Sequence, residues 1–290
     1  MVPRDPAPGP HDSEPSPAPA RTPIEAGHGA FAGVQPLPPL PRRPERIWAL
    51  AVGAGLLAGV LSWVAGEMAL TAFKPELEEA HGMGVVLLLP SRKGEIKADT
   101  QNAALAFGLL GAILGLGLGI TGGLVSGAIR IRRGAIAGLI GLAVGGALGV
   151  GASLAFVPVF NQARMANPLS LDLTIPMLVH AGIWAAVGAG GGLAFGIGSG
   201  GDRRRIARTT IGGLVGGALA AVAYETIGAL AFPLADTPRP LSLTWLSRLL
   251  ARLLSVTLAA AGAAAAVTLE TSRRLAPPAE PDSRTGRRGQ

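Results

Sequence analysis

From about residue 46 onward the chain alternates long apolar runs with short polar ones. Six apolar runs approach or exceed twenty residues, near 47–70, 103–127, 134–158, 175–199, 209–233 and 249–269. A helix rises about 1.5 Å per residue, so about twenty apolar residues match the roughly 30 Å hydrocarbon core of a bilayer. The pattern predicts an all-α integral membrane protein, a six-span glycine-rich transmembrane helix bundle. Its domain plan is a tail (1–45), a six-helix transmembrane domain (46–270) and a second tail (271–290).

The two ends lack this patterning. Residues 1–45 hold about half of the 24 prolines and too few apolar positions to bury a core, so a disordered tail is expected. No apolar stretch of signal-peptide kind occurs in the first 40 residues. Pro36-Leu-Pro-Pro-Leu-Pro-Arg-Arg43 has the composition of a polyproline II ligand, although a solvated tail is the simpler expectation. Residues 271–290 read as a disordered basic tail.

Composition agrees with the patterning. Hydrophobic residues make up 49% and charged residues 15%, with 43 glycines, and mean hydropathy is +0.44. A net charge of +7 raises the question of nucleic acid. The arginines, however, flank apolar runs, where they act as topology signals, and aromatics are only 4%. No nucleic-acid partner is expected. Arg42, Arg43 and Arg46 precede the first span, and Arg130, Arg132 and Arg133 separate the second and third. Arg203, Arg204, Arg205 and Arg208 separate the fourth and fifth, and Arg273 and Arg274 follow the sixth. The alternate connections are poorer in positive charge. By the positive-inside rule both termini are cytoplasmic, in a multi-pass protein of the cytoplasmic (inner) membrane. The largest outer connection is 74–101, where Lys74 to His81 has the composition of a short surface helix and Val85 to Leu89 forms an apolar run.

Glycine recurs at every fourth position within the spans. The second span carries Gly111, Gly115, Gly119, Gly123 and Gly127; the third carries Gly141, Gly145 and Gly149, continued by Ser153. The fourth carries Gly188, Gly192, Gly196 and Gly200; the fifth carries Gly213 and Gly217, continued by Ala221. A four-residue step leaves one helix face free of side chains, so backbones can approach closely in lipid. Packing is the expected use, within the bundle and in contacts with a second copy or other membrane proteins. Ile136-Ala-Gly-Leu-Ile-Gly141 also resembles Ile211-Gly-Gly-Leu-Val-Gly216, at an offset of about 75 residues. A parallel hairpin repeat of spans two and three onto four and five and mimicry among glycine-rich helices both account for it.

Against this background Glu225 stands out as an acid deep inside an apolar run. It lies roughly 5 Å beyond the middle of the fifth span, toward the outside, and continues the row Gly213, Gly217, Ala221 onto the crowded face. An ionisable group at such depth costs on the order of 2–3 kcal/mol and marks a functional candidate. Other polar residues share the outer half: Glu67, Ser153, His180, Tyr224, Arg248 and Arg252. Arg248 reads as a snorkelling arginine, whereas for Arg252 snorkelling and a reach to Glu225 or Glu67 are equally open. Together they suggest a polar vestibule opening outward, an ion or substrate pathway.

Catalytic signals are weak. The chain has no cysteine, no Walker A lysine and no His-Glu-x-x-His, and no resident metal or cofactor is expected. Gly151-Ala-Ser153 and Gly198-Ser-Gly200 are faintly similar to the serine motif of rhomboid proteases. Ser199 and His180 nevertheless lie at opposite ends of one helix, and only Ser153 with His180 remains geometrically open. The stretch 174–234 resembles the proteolipid hairpin of rotary ATPases. It runs through a glycine-ridged helix, an arginine-bearing turn (Asp202 to Arg208) and a helix with one buried carboxylate, with Arg205 twenty residues before Glu225. That resemblance implies an ion-carrying role for Glu225. The turn lacks the family's Arg-Gln-Pro, two further spans flank the hairpins, and the first hairpin has no acid. The likeness is therefore one of packing. The leading expectation is a structural or interaction component of a membrane assembly; the alternative is a small transporter or channel that uses Glu225.

Overall fold

A computed structural model describes residues 44–82, 85–126, 131–167, 172–231 and 237–275. Most of the N-terminal tail with its proline motif, Gly127, Arg130 and the tail beyond 275 lie outside the described residues. Among the described residues six helices follow one another: α1 (Pro44–Ala69), α2 (Arg92–Val125), α3 (Ile131–Ala166), α4 (Thr174–Gly198), α5 (Arg203–Ala231) and α6 (Trp245–Leu275). All six are long and apolar enough to cross a membrane. The protein is a multi-pass, all-α membrane bundle with a small β-hairpin on one connection.

Glycine sets the distances between helices. A Cβ at Gly111 would fall on the carbonyl of Gly145, one at Gly115 on that of Gly141, and one at Gly119 on the backbone of Ala137 and Gly138. These contacts lock α2 antiparallel to α3. The α4–α5 pair closes in the same way, with Gly188 against Gly213, Gly192 against Thr209, and Gly217 against the Trp184 carbonyl. Gly212 meets Gly262 and Gly216 meets Leu258 between α5 and α6. At such separations, dispersion and Cα–H···O contacts replace the hydrophobic drive that lipid cannot supply. Helices α2 and α4 form the centre, each with 61% of its most apolar stretch buried, against 28% for α3. Helix α1 covers the far side of α6, through Gly55 on Val256 and Ala260 and Gly59 on Leu253 and Val256.

Four expectations about element boundaries change. Residues 74–81 do not form a surface helix: β1 (Leu77–Gly82) pairs antiparallel with β2 (Val85–Pro90), Leu77 opposite Pro90 through Gly82 opposite Val85. The apolar run after Gly82 supplies the strand partner that the acidic segment lacks alone. Helix α2 starts well before 103, because Ser91 caps it: its Oγ accepts a 3.1 Å bond from the Gly94 amide. Helix α3 continues through Pro158 to Ala166. A proline is tolerated in a spanning helix, where neighbouring groups satisfy the freed carbonyl. Residues 271–275, assigned to the tail, are the last turn of α6.

Candidate functional site

Backbone register builds the site. Along the α4–α5 seam, Gly192 faces Thr209, Gly188 faces Gly213 and Trp184 faces Gly217. The next antiparallel step of four places His180 level with Ala221, and the one after that places Pro176 level with Glu225. Helical side chains lean toward their own N-terminus, so His180 and Glu225 lean toward each other along the seam. They meet: His180 Nδ1 lies 2.5 Å from Glu225 Oε1. Both are sealed in the bundle, at 1% and 0% exposure.

The surroundings of the pair are mainly aromatic. His180 packs against Trp184 (ring centroids 5.2 Å apart) and edge-on to Tyr224 (5.6 Å), and Trp184 and Tyr224 close the triangle at 5.4 Å. The Tyr224 hydroxyl interacts with those of Ser242 and Ser247. Two buried polar atoms here have no hydrogen-bond partner, Glu225 Oε2 and Trp184 Nε1. A buried carboxylate oxygen without a donor is costly when the group is ionised. One proton held between Nδ1 and Oε1 leaves the pair neutral overall, and a second proton makes it a cation.

A small cavity adjoins the pair. His180, Tyr224, Phe107, Arg248 and Arg252 line it, with the α5–α6 connection as its roof (Pro240, Leu241 and Ser242). The space open to the centre of a water-sized sphere is about 20 Å³, room for little more than one water. The roof is held by a hydroxyl network: Ser247 Oγ lies 2.7 Å from both Ser242 Oγ and Thr244 Oγ1. Thr244 also caps α6 by accepting from the Ser247 amide at 3.3 Å.

The arginines are placed differently from expectation. Arg248 does not snorkel. It grips Glu67 of α1 with two bonds, Nε to Oε1 at 2.6 Å and Nη2 to Oε2 at 2.7 Å. Its Nη1 donates to the carbonyls of Ser242 and Leu243. Arg252 reaches neither Glu225 nor Glu67. At 5% exposure, its Nη1 donates 2.6 Å to the Ser62 carbonyl of α1 and 3.5 Å to the Ala106 carbonyl of α2. Gly66 makes room for this guanidinium, which would overlap any side chain there. The position on α6 that faces α1, rather than the pull of opposite charge, decides where Arg252 goes.

Ser153 is buried on the α2–α3 seam and donates to the Gly149 carbonyl at 2.8 Å. It does not line the cavity, so no serine–histidine pair forms. Among the described residues no cluster of three or more His, Asp or Glu has metal-binding geometry. The structure thus brings together His180, Tyr224, Glu225 and Arg252, links Glu67 to the rim through Arg248, and leaves Ser153 apart. Sequence reasoning missed Trp184, Phe107 and Ser242. Only Trp184 left a signal, four residues after His180 on the same face.

Compared with protein-family models, curated proteins and solved structures, the chain matches none.

Proposed function

We propose that this protein is a small proton-linked transporter or channel in which His180 and Glu225 hold an exchangeable proton beside an outward-opening polar cavity. The observation that carries this reading is the sealed imidazole–carboxylate pair with an unpartnered carboxylate oxygen. A bundle already closed by glycine contacts has no packing need for such a pair, and apolar residues would fill the space at lower cost. The charged groups that line the adjoining cavity, Arg248 and Arg252 on α6, share one end of the bundle with Glu67 on α1, which Arg248 binds. The arginine flanks at the opposite end support a cytoplasmic-membrane orientation with both termini inside. Transfer across the bilayer requires the pair to exchange protons with both sides in turn, by movement of α4 against α5 along their side-chain-free seam. The like closure of α2–α3 and α4–α5 on glycine supports a parallel repeat as the scaffold for that movement.

Proteoliposomes holding the purified chain and a pH-sensitive dye test the reading. Wild-type vesicles are expected to relax an imposed pH gradient faster than empty ones, and Glu225→Gln is expected to abolish the difference. Equal rates for Glu225→Gln and wild type would remove Glu225 from the function.

A second reading, a component of a larger membrane assembly, is favoured by the hairpin. Leu77, Val86, Leu87, Leu88 and Leu89 are all exposed, on both faces of a two-stranded sheet. Deleting 77–90 and measuring the size of the detergent-extracted complex distinguishes the two, since the first reading predicts an unchanged size.

A further inference from the structure

We infer that the cavity under the α5–α6 connection binds one small monovalent anion of halide size, with the Arg252 guanidinium as its principal ligand. This deepens the proton-linked reading by naming the co-ion, and it rests on that reading for the neutrality of the His180–Glu225 pair.

The inference begins with a balance of charge. Arg248 is neutralised by Glu67 through two hydrogen bonds. His180 and Glu225 with one proton between them are neutral together. Arg252 is left over: among the described residues no carboxylate lies within ion-pair distance of it. Its hydrogen bonds to protein groups run through Nη1 to main-chain carbonyls. A guanidinium carries five N–H donors; among the described residues only those on Nη1 have an acceptor, while Nη2 packs against the backbone at Gly66. A buried cation is stable only where its charge is met.

The cavity supplies the place. Arg252 and Arg248 line it together with His180, Tyr224 and Ser242. These groups can all donate, and no carboxylate lines the space. Phe107, Leu241 and Ala251 make the rest of the wall apolar, which suits a weakly hydrated halide and leaves a cation without ligands. Size narrows the choice further, because a space of about 20 Å³ for the centre of a water-sized sphere holds one monatomic ion or one water. That size favours a monatomic anion over sulfate, phosphate or an organic carboxylate. An anion here also sits beside His180, so its charge favours the doubly protonated His180–Glu225 pair. Anion and proton then bind in mutual support, each raising the affinity for the other by the same factor.

Binding of radioactive chloride to the purified full-length protein, prepared in gluconate buffer, tests this. The expected result is saturable binding of one chloride per chain, displaced by bromide and not by sulfate, and tighter at low pH. Arg252→Gln is expected to weaken it by at least about tenfold. Ala251→Leu, which fills the cavity and leaves every charge in place, is expected to abolish it and serves if Arg252→Gln does not fold. No saturable binding by the wild type, or wild-type binding by either folded variant, overturns the inference. If chloride binding is absent while Glu225→Gln still abolishes proton flux, the anion site alone falls. Chloride binding together with proton flux that is indifferent to Glu225→Gln removes the proton-linked reading instead.

Discussion

His180 and Glu225 meet at 2.5 Å because each continues a four-residue row that begins in the tight α4–α5 seam. On α5 the row is Gly213, Gly217, Ala221, Glu225; on α4, read backward, it is Gly192, Gly188, Trp184, His180. The glycines bring the backbones together, and the rows then deliver the two titratable side chains to one point. The close packing of the seam and the polar pair are two parts of one arrangement.

The pair makes a stability prediction that separates it from ordinary packing. Changing His180 to Leu leaves Glu225 buried with both oxygens unbonded. Removing one partner of a buried pair costs about 3–5 kcal/mol. Changing both residues to Leu removes the orphan as well and should recover most of that loss. Thermal unfolding of the two variants in one detergent checks this, and a double variant as unstable as His180→Leu would count against it. Under the proposed function the double variant is stable and inactive.

Glycine substitutions should divide sharply by position. Gly115 and Gly145 lie where a Cβ would strike the backbone of the neighbouring helix, whereas Gly53 and Gly151 have nothing within 4 Å of such an atom. Gly115→Ala and Gly145→Ala must push α2 and α3 apart, at a cost of about 1–3 kcal/mol. Gly53→Ala and Gly151→Ala only stiffen an open helical position and are expected to be neutral or to stabilise by up to about 1 kcal/mol. Melting temperatures of the four single variants decide the matter, and uniform losses at all four would argue that helix separation is not set by glycine.

Much of this was legible in the sequence, for reasons that particular residues make plain. The six spans follow from run length against bilayer thickness, and Glu225 was placed inside because it follows Ala221 by four. His180 was less readable, since the α4 row passes through Trp184 and no longer looks like a ridge of small residues. The place of Arg252 is not legible from opposite charge, because geometry decides it: the gap at Gly66 lets the guanidinium reach Ser62. The early start of α2 was missed because its first turns are polar, and only the Ser91 cap marks them. Ser242 and Leu241 belong to a connection without periodicity, and no pattern along the chain places a loop over a cavity.

The Arg248–Glu67 contact ties α1 to the head of α6 and should behave as a paired unit. Its side chains are 10% and 27% exposed, so water weakens it relative to a sealed pair. Two parallel N–H···O bonds nonetheless give it more than an ordinary surface ion pair. Arg248→Gln and Glu67→Gln are each expected to cost about 1–2 kcal/mol, and the double change less than their sum. A double-mutant cycle on unfolding measures the coupling, and strict additivity would mean that the contact does not persist in solution.

The hairpin should loosen from α2 in acid. Lys97 Nζ lies 2.8 Å from Glu76 Oε1, and its hydrogen bond and charge hold the Glu76 carboxyl below its ordinary value of 4.5. A depressed carboxylate contributes to the folded state above the ordinary value and loses that contribution as pH falls through the lowered one. Glu76 is fully exposed, so the effect is local, and it acts on a short segment. The Glu76 carbonyl accepts from the Ser91 amide at 2.9 Å, and Phe73 and Asn102 exchange two 3.0 Å bonds just before it. Hydrogen exchange at the β1 and β2 amides is therefore expected to quicken as pH falls below the ordinary carboxyl value of 4.5, after correction for intrinsic rates, while the helical core stays protected. Glu76→Gln should show the fast exchange already at neutral pH and no further change in acid. A variant that keeps the wild-type acid response would mean that the Glu76–Lys97 contact does not hold the hairpin.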